Sequence, residues 1–329
     1  MERRRIGDSD LVCSALGFGS WEMGDGYGPI DAQEASRTVG VAIDSGITLF
    51  DTAEIYGPLK SEDLLGRALE GRRKDVIIVT KVGFGFDDND VCTGHDCSRK
   101  SILRRAEGCL RRLRTDRIDL LLIHWSDHRT PHEETIGALE ELKTAGKIRY
   151  YGVSNYNASM MEACLGHGHI VANQVGYHLF DRRMETQVLP FCAARNVGFM
   201  AYGSLGFGLL TGALKPESMF QPPWCVGGVA FGLPLFQREQ FVKELRVVER
   251  LKAMAARHGR TVAQLAIAWV LGGQAVSVAL VGVKNRAELA ENIKAVDWKL
   301  TAGDRAEIDR IFTEEDVRTS REYPQVLEC

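Results

Sequence analysis

The stretch ITLFDTAEIYG, residues Ile47–Gly57, joins a short apolar run to two ionisable side chains. Its first four residues are apolar or β-branched, which is typical of a short buried strand. Asp51 stands where this strand is predicted to end, and Tyr56 follows five residues later beside a Gly-Pro turn. A buried strand that presents an acid and a phenol at its end indicates a chemical role for both groups.

Two later predicted strands also end in ionisable residues. The run DVIIVTK ends at Lys81, and the run RIDLLLIH ends at His124. In an α/β barrel or an open α/β sheet, the carboxyl ends of parallel strands form the edge that binds ligands. We therefore predict that Asp51, Tyr56, Lys81 and His124 lie together, although they are far apart in the chain.

Strands and helices alternate along the whole sequence. Successive predicted strands are roughly 30 residues apart until the seventh, which is the spacing of βα units. The eight predicted strands are Leu16–Ser20, Ile47–Phe50, Asp75–Lys81, Arg117–His124, Ile148–Val153, Ile170–Val175, Val197–Tyr202 and Gln274–Val281. The predicted helices between them include Asp31–Ser45, Ser61–Leu69, Ser98–Arg114, Pro131–Ala145 and Thr261–Leu271.

This order predicts an α/β fold of one domain over residues 1–329, a (β/α)8 TIM barrel. We expect an N-terminal β-hairpin over residues 3–16 and a long binding loop, Phe207–Gln240, after the seventh strand. A doubly wound sheet is the structural alternative. It is disfavoured because the G-x-G-x-x-G turn that it needs is absent after the first strand.

Composition excludes several classes of protein. The chain has 329 residues, a formal net charge of -3, 45% hydrophobic and 26% charged residues, and no dense basic run beyond Arg111–Arg114, so we expect no nucleic-acid partner. No segment approaches the roughly 20 apolar residues of a membrane span, so no membrane partner is expected. The eight cysteines contain no CxxC pair, which favours reduced thiols and a cytoplasmic location.

Two groups of residues have side chains that are typical of metal ligands and lie close together in the sequence. His124, His128 and His132 have helical spacing, but a Thr-Pro pair interrupts any helix there. Cys92 and Cys97 lie in the polar segment Gly83–Cys97, whose spacing of cysteine and histidine matches no standard zinc pattern. We therefore predict no metal site and interpret this segment as a long polar loop.

The four strand-end residues and the phrases around them resemble the aldo-keto reductase family. The similarity runs from about Leu16 to about Trp298. The phrases that carry it are GITLFDTAEIYG, VTKVG, LLIHW, YYGVSNY, NQVGYH and YGSLGFGLLTG. The resemblance implies an NADP-dependent oxidoreductase that reduces an aldehyde or ketone to an alcohol by hydride transfer.

In such an enzyme Tyr56 would be the general acid. An isolated tyrosine has a pKa of about 10, too high for efficient proton transfer at neutral pH. We expect the Lys81 ammonium to lower the pKa of the phenol, and Asp51 to keep Lys81 charged and oriented. His124 is expected to orient the carbonyl group.

The resemblance also implies a cofactor site on the later strands. Ser154, Asn155 and Gln174 would hold the nicotinamide carboxamide, and the ring of Tyr202 would stack on the nicotinamide. The other implied cofactor residues are Gly203, Ser204, Leu205, Gly206, Gly208, Gly282, Lys284, Arg286, Glu288, Glu291 and Asn292. Ser204 and Phe207 replace a proline and an arginine that are frequent in relatives. We therefore expect this chain to lack one of the contacts that hold the pyrophosphate in those relatives.

The choice between NADP and NAD depends on the segment after the eighth strand. Lys284 and Arg286 lie at a predicted helix N-terminus, where a 2′-phosphate would be favoured. Glu288 would repel that phosphate if it faced it, but it would be neutral if it capped the helix start near Asn285. We predict NADP, with NAD as the alternative.

Four aromatic residues on the ligand-edge loops are predicted to form the substrate pocket: Trp21, Phe84, Trp125 and Trp224. Two other functions stay open. A lysine at a barrel strand end could form a Schiff base, which would make Lys81 the nucleophile of an aldolase. Alternatively, the chain could be a cofactor-bound regulatory subunit of a membrane channel, as some relatives are. The sequence leaves the identity of the substrate, the direction of reaction and the oligomeric state open.

Overall fold

The fold is known from a computed structural model, which describes residues 1–218 and 225–319. Fourteen strands and ten α-helices lie in these residues. The strands are β1 (Arg3–Arg5), β2 (Val12–Ser14), β3 (Leu16–Gly19), β4 (Leu49–Asp51), β5 (Ile77–Val82), β6 (Phe84–Phe86), β7 (Cys92–His95), β8 (Ile118–Ile123), β9 (Ile148–Ser154), β10 (Ala172–Gly176), β11 (Gly198–Tyr202), β12 (Cys225–Val226), β13 (Val229–Ala230) and β14 (Val276–Gly282). The helices are α1 (Ala32–Asp44), α2 (Lys60–Ala68), α3 (Arg99–Arg112), α4 (His132–Thr144), α5 (Ala158–Leu165), α6 (Val188–Arg195), α7 (Arg238–Arg257), α8 (Val262–Leu271), α9 (Arg286–Ile293) and α10 (Ala302–Glu314).

Eight of the strands form a closed parallel barrel in the order β3-β4-β5-β8-β9-β10-β11-β14, with β14 pairing back to β3. Each barrel strand therefore pairs with the next barrel strand in the chain, and the predicted (β/α)8 TIM barrel is confirmed. Apolar side chains such as Leu49, Leu120 and Met200 fill the barrel interior. A larger apolar layer joins the outer faces of the strands to the helices.

Six of the ten described α-helices start at a residue whose side chain caps the helix. Asp31 precedes α1, and its carboxylate accepts hydrogen bonds from the backbone N–H groups of Gln33 and Glu34. Thr261 and Gln264 form a reciprocal capping box at the start of α8. These local signals made the helix positions readable from the sequence.

The predicted N-terminal hairpin, β1 and β2, closes one end of the barrel. Ile6, Leu11 and Cys13 are buried and pack into the barrel interior. The turn between the strands passes through Gly7, whose φ of 55° is left-handed. A Cβ atom at Gly7 would lie 2.4 Å from the carbonyl oxygen of Val171 and 2.6 Å from that of Asn196, so only glycine fits.

The prediction of a long polar loop over Gly83–Cys97 is wrong. It forms an antiparallel hairpin, β6 and β7, with Phe84 opposite His95. The physical reason is that Phe84 and Phe86 are buried with Trp125 in a small apolar cluster. The guanidinium of Arg105 also lies 4.1 Å from the centre of the Phe86 ring.

The predicted long segment after β11 contains some regular structure. A short 3-10 helix covers Gly206–Thr211, and β12 and β13 form a small hairpin before α7 begins. Trp224 lies outside the described residues. In the part of the chain that the structure describes, no helix is long and apolar enough to cross a membrane.

The seven cysteines within the described ranges are free thiols, and six of them are buried. Burial raises the pKa of Cys13, Cys97, Cys164 and Cys192 to about 12. It also raises the pKa of Cys109 well above its ordinary value. These thiols are therefore protonated at neutral pH.

Replacing Gly7 by alanine is expected to destabilise the protein through both conformation and crowding. A left-handed residue with a Cβ costs about 1–2 kcal/mol, and forcing an atom into a packed site costs about 1–3 kcal/mol more. The free energy of unfolding, measured by urea denaturation, should fall by about 3 kcal/mol.

Gly71→Ala is the matched control for the conformational part of this effect. Gly71 also has a positive φ, 78°, but a Cβ there would meet no atom within 4 Å. Equal losses of stability in Gly7→Ala and Gly71→Ala would contradict the steric role of Gly7.

Candidate active site

Asp51 and Tyr56 meet at the ammonium group of Lys81, and His124 lies beside Tyr56. Lys81 is fully buried, and its Nζ donates to Asp51 Oδ1 at 2.7 Å, to the Thr52 carbonyl oxygen at 2.9 Å and to the Tyr56 hydroxyl at 3.2 Å. The second carboxylate oxygen of Asp51 accepts from Gln174 Nε2 at 2.7 Å. The side chains of Asp51, Tyr56, Lys81 and Gln174 are thus joined by one connected set of hydrogen bonds.

The register of the barrel explains why these residues meet. Asp51 at the end of β4 pairs with Val79 of β5, so Lys81 lies two residues further along β5 on the same side of the strand. The backbone N–H of His124 donates to the Val82 carbonyl at 2.8 Å, directly after β8. Parallel neighbouring strands therefore bring all three ionisable groups to one end of the barrel.

Tyr56 belongs to the turn that follows β4. Its backbone N–H donates to the Ala53 carbonyl at 3.1 Å, which bends the chain back over the barrel end. Glu54 in the same turn is fully buried and accepts from Arg105 Nε at 2.5 Å. This ion pair fixes the turn to α3 and so helps to hold the phenol in place.

The environment raises the pKa of Tyr56 instead of lowering it, which corrects our expectation. Burial of the phenol holds its pKa well above the ordinary value, and the negative charges of Asp51 and Glu22 add to the shift. Burial also lowers the pKa of Lys81 and raises that of Asp51, and their ion pair opposes both shifts. The Tyr56 hydroxyl is therefore protonated at neutral pH.

His124 faces the same space as Tyr56. The two ring centres are 5.9 Å apart, and the ring of Phe84 lies 5.4 Å from that of His124. Burial lowers the pKa of His124 well below its ordinary value, and the nearby positive charge of Lys81 lowers it further. The imidazole is therefore neutral at pH 7. Its Nδ1 atom is buried and has no hydrogen-bond partner among the described residues.

A cavity of about 670 Å³ lies above this cluster. It is lined by Asp51, Tyr56 and His124 and by the three described residues of the predicted substrate pocket, Trp21, Phe84 and Trp125. The lining also includes the following predicted cofactor residues: Asn155, Gln174, Tyr202, Gly203, Ser204, Leu205, Gly208, Gly282, Lys284, Glu288, Glu291 and Asn292. Lys81, Ser154, Gly206 and Arg286 do not line the cavity. Lys81 and Ser154 are buried behind it.

Polar side chains beside His124 are held by one another. Asn155 has a left-handed φ of 63°, and its Nδ2 donates to the His124 carbonyl at 3.1 Å. The Tyr202 hydroxyl donates to Asn155 Oδ1 at 2.9 Å. Ser154 donates its hydroxyl hydrogen to the Gln174 carbonyl at 2.8 Å and therefore orients the strand ends from behind.

The segment after β11 is strongly bent. Gly203, Gly206, Phe207 and Gly208 all have positive φ values, and a Cβ at Gly208 would meet no atom within 4 Å. The Ser204 hydroxyl donates to the Leu280 carbonyl at 3.1 Å, which ties the segment to β14. The backbone at Gly208 is thus open to the cavity.

The two basic residues after β14, Lys284 and Arg286, have different partners. Arg286 is bound by Glu34 of α1 at 2.9 Å, whereas the Lys284 ammonium lies 5.4 Å from the centre of the Tyr27 ring. Glu288 turns back and accepts the backbone N–H of Lys284 at 2.9 Å and Asn285 Nδ2 at 3.3 Å. Lys284 makes no ion pair with any described residue.

Several cavity residues were missed by the sequence reasoning. Glu22 and Tyr27 follow the first barrel strand, and this position at the ligand edge was an available signal. Phe231 directly follows β13 and stacks on Phe207 at 4.8 Å. Phe231 and Leu214 both lie in the predicted binding loop Phe207–Gln240, but no periodic signal in the sequence singled them out.

Comparisons with known proteins agree with this geometry. The sequence profile of the aldo/keto reductase family matches residues 15–312. Aldo-keto reductase YhdN of Bacillus subtilis (strain 168) is 35% identical over 316 residues, which cover 95% of this chain and 94% of the relative. The NADH-specific methylglyoxal reductase of Escherichia coli (strain K12) is 31% identical over 319 residues, which cover 92% and 96%.

Solved structures show the same similarity. A glycerol dehydrogenase from Gluconobacter oxydans has a TM-score of 0.87 and 30% identity, with 99% of each chain covered. An aldo/keto reductase from Klebsiella pneumoniae in complex with NADP and acetate has a TM-score of 0.76 and 29% identity, with 100% of this chain and 98% of that chain covered. The chain belongs to the aldo/keto reductase family of oxidoreductases.

Proposed function

We propose that the protein is an NADP-dependent carbonyl reductase that converts an aldehyde or ketone to an alcohol with Tyr56 as the general acid. The contact of 3.2 Å between Lys81 Nζ and the Tyr56 hydroxyl carries this proposal. It joins a protonated phenol at the cavity surface to a buried cation that can stabilise the phenolate left after proton transfer.

When bound, the reduced nicotinamide supplies the hydride that reaches the carbonyl carbon. The carbonyl oxygen then gains negative charge and takes a proton from the Tyr56 hydroxyl, which completes the alcohol. Neutral His124 lies beside Tyr56 and can donate a hydrogen bond to the same oxygen. The high pKa of Tyr56 keeps the proton on the phenol until that charge develops.

The donor groups and the shape of the cavity fit a dinucleotide. The amides of Asn155 and Gln174 lie beside Tyr56 and His124, where they suit a carboxamide. The backbone around Gly208 is open to the cavity and suits a pyrophosphate. Lys284 lies at the far end, near the N-terminus of α9, and suits a 2′-phosphate.

The relatives agree with a nicotinamide cofactor but differ in its type. The Klebsiella pneumoniae structure holds NADP, whereas the Escherichia coli relative is named as NADH-specific. We favour NADP because the Glu288 carboxylate turns back to the helix start and Lys284 keeps its charge unpaired among the described residues.

The hydrogen bonds of Lys81 favour a reductase over a Schiff-base aldolase. All three N–H donors of its ammonium have acceptors, in Asp51, Thr52 and Tyr56. A nucleophilic lysine needs a free lone pair, which this arrangement does not offer.

Replacing Tyr56 by phenylalanine should abolish most of the turnover and retain cofactor binding. Proton transfer by a positioned side chain is worth about 10²–10⁴-fold, so kcat/KM for an aldehyde should fall by about 10³-fold. Turnover is measured from NADPH absorbance and cofactor affinity from the quenching of tryptophan fluorescence.

Tyr150→Phe is the matched control, because its phenol accepts a hydrogen bond from the Asp10 backbone N–H and Tyr150 is not among the residues that line the cavity. It should keep full activity. Full activity in Tyr56→Phe would instead eliminate the tyrosine mechanism.

Lys284→Ala should reduce the preference for NADPH over NADH. A charge-assisted contact is worth about 1.5–3 kcal/mol, so the ratio of the two dissociation constants should fall at least tenfold. Titrating both cofactors into the wild type and the variant by fluorescence gives the ratio.

Arg286→Ala and Glu288→Gln serve as controls for this measurement. Arg286 is held by Glu34, and Glu288 caps the helix start, so either change should shift the ratio less than Lys284→Ala does. An unchanged ratio in Lys284→Ala would place the phosphate site elsewhere. If the wild type binds NADH more tightly than NADPH and Glu288→Gln binds NADPH more tightly, Glu288 is the residue that decides the cofactor preference.

The aromatic walls of the cavity predict the class of carbonyl compound that it prefers. Trp21, Phe84 and Trp125 surround the space above Tyr56 and His124 and offer apolar faces. Aromatic aldehydes should therefore show a higher kcat/KM than sugars or small ketones in a substrate panel followed by NADPH absorbance. Phe84→Ala should reduce the difference in kcat/KM between aromatic aldehydes and the other substrates. A higher kcat/KM of the wild type for sugars than for aromatic aldehydes would contradict this assignment.

A further inference from the structure

Glu22 lines the same cavity as the predicted cofactor residues. It follows Trp21 in the short helix after β3, and its carboxyl group occupies the space where a side chain of Gly282 would be. A Cβ at Gly282 would lie 1.9 Å from Glu22 Oε1 and 2.2 Å from Oε2. The absence of a side chain at Gly282 therefore lets the carboxyl group fold against the end of β14.

The Oε2 atom of Glu22 is buried and has no hydrogen-bond partner among the described residues. A buried carboxylate oxygen without a donor is costly, and the cost disappears when the group binds a proton. Two described groups on α9 and the turn before it act on this carboxyl in opposite directions, since Glu288 repels its charge and Lys284 attracts it.

The charges around the cavity do not favour an anion near Glu22. Among the described lining residues the acids are Glu22, Asp51, Glu288 and Glu291, and the only lysine is Lys284. Asp51 is neutralised by Lys81 behind it. The other three carboxyl groups share the cavity with one ammonium, whereas the cofactor brings a pyrophosphate with two negative charges.

We infer that Glu22 is a proton-linked determinant of cofactor affinity, so that the dinucleotide binds the form of the protein in which the Glu22 carboxyl is neutral. This inference rests on the proposed function, because it requires a nicotinamide dinucleotide in the cavity. It assigns a role to a residue that lies next to the reacting groups without taking part in proton transfer to the substrate.

The ionisation of Glu22 falls in the pH range where the enzyme would work. Burial raises its pKa to about 7, and Glu288 raises it while Lys284 lowers it. The other ionisable groups that face it are Tyr27, on its own loop, and Tyr56; Glu22 contributes to the raised pKa of each phenol. Both phenols are therefore protonated near pH 7, so they do not titrate in this range.

The sign of the effect follows from proton linkage. Below the pKa the carboxyl is neutral and affinity is full, and above it only the protonated fraction binds. With a pKa of about 7, the dissociation constant of NADH should rise about 25-fold between pH 6.5 and 8.5. Binding at pH 8.5 should take up nearly one proton from the buffer.

The test uses NADH, whose phosphates do not titrate between pH 6.5 and 8.5, with the full-length wild type and two variants. Affinity is measured by fluorescence titration at several pH values, and proton uptake by calorimetry in buffers of different ionisation enthalpy. Glu22→Gln should bind NADH with little dependence on pH and without proton uptake. Glu288→Gln removes a negative charge that raises the pKa of Glu22, so it should retain proton uptake and shift the pH dependence of the dissociation constant to lower pH.

Proton uptake by the wild type does not depend on any variant folding. Absence of uptake at pH 8.5, or an equal pH dependence in wild type and Glu22→Gln, would overturn the inference while leaving the reductase proposal intact. A wild type that binds neither NADH nor NADPH at any pH would overturn both proposals.

Discussion

The buried ion pair between Lys81 and Asp51 is the interaction on which the rest of the site depends. Both side chains are almost completely removed from water, so each charge needs the other and a full set of hydrogen bonds. The partners come from β4, the turn after it, β5 and β10. The pair is therefore satisfied only when the barrel is closed in the correct register, and the geometry of Tyr56 follows from it.

The two ends of the barrel differ in the kinds of side chain that they carry. At the amino ends of the strands, the hairpin of β1 and β2 fills the opening with apolar side chains and with a turn that only glycine allows. At the carboxyl ends, the strands present charges, amides and glycines, and aromatic rings from several loops cover them. Packing constraints thus concentrate at one end, which leaves the other end free to carry unsatisfied polar atoms such as His124 Nδ1.

Much of the fold and the reactive cluster could be predicted from the sequence because the signals were local. Continuous apolar runs located the barrel strands, and the ionisable residues at or just after the ends of three runs predicted the cluster around Lys81. The hairpin over β6 and β7 was not predictable in this way, because Phe84 and Phe86 become buried only when Trp125 and Arg105 arrive from distant segments.

Electrostatic detail was also beyond the sequence. The motif suggested that Lys81 would lower the pKa of Tyr56, but the balance depends on burial and on Asp51 and Glu22, whose distances only the folded chain defines. The pairing of Arg286 with Glu34 joins residues 252 positions apart. In the same way, the position of Glu22 depends on the missing side chain of Gly282, which is distant in sequence but lies on the strand next to β3.

The burial of the cysteines affects how readily the protein reacts with electrophiles. Aldehydes and other electrophilic carbonyl compounds add to thiolates much faster than to protonated thiols. Because most of the described thiols are enclosed in the core and have raised pKa values, they present little thiolate to such compounds. Under the proposed function, the buried thiols among the described residues are therefore poor targets for the substrate, and Cys92, which is half-buried in β7, is the most accessible of the described thiols.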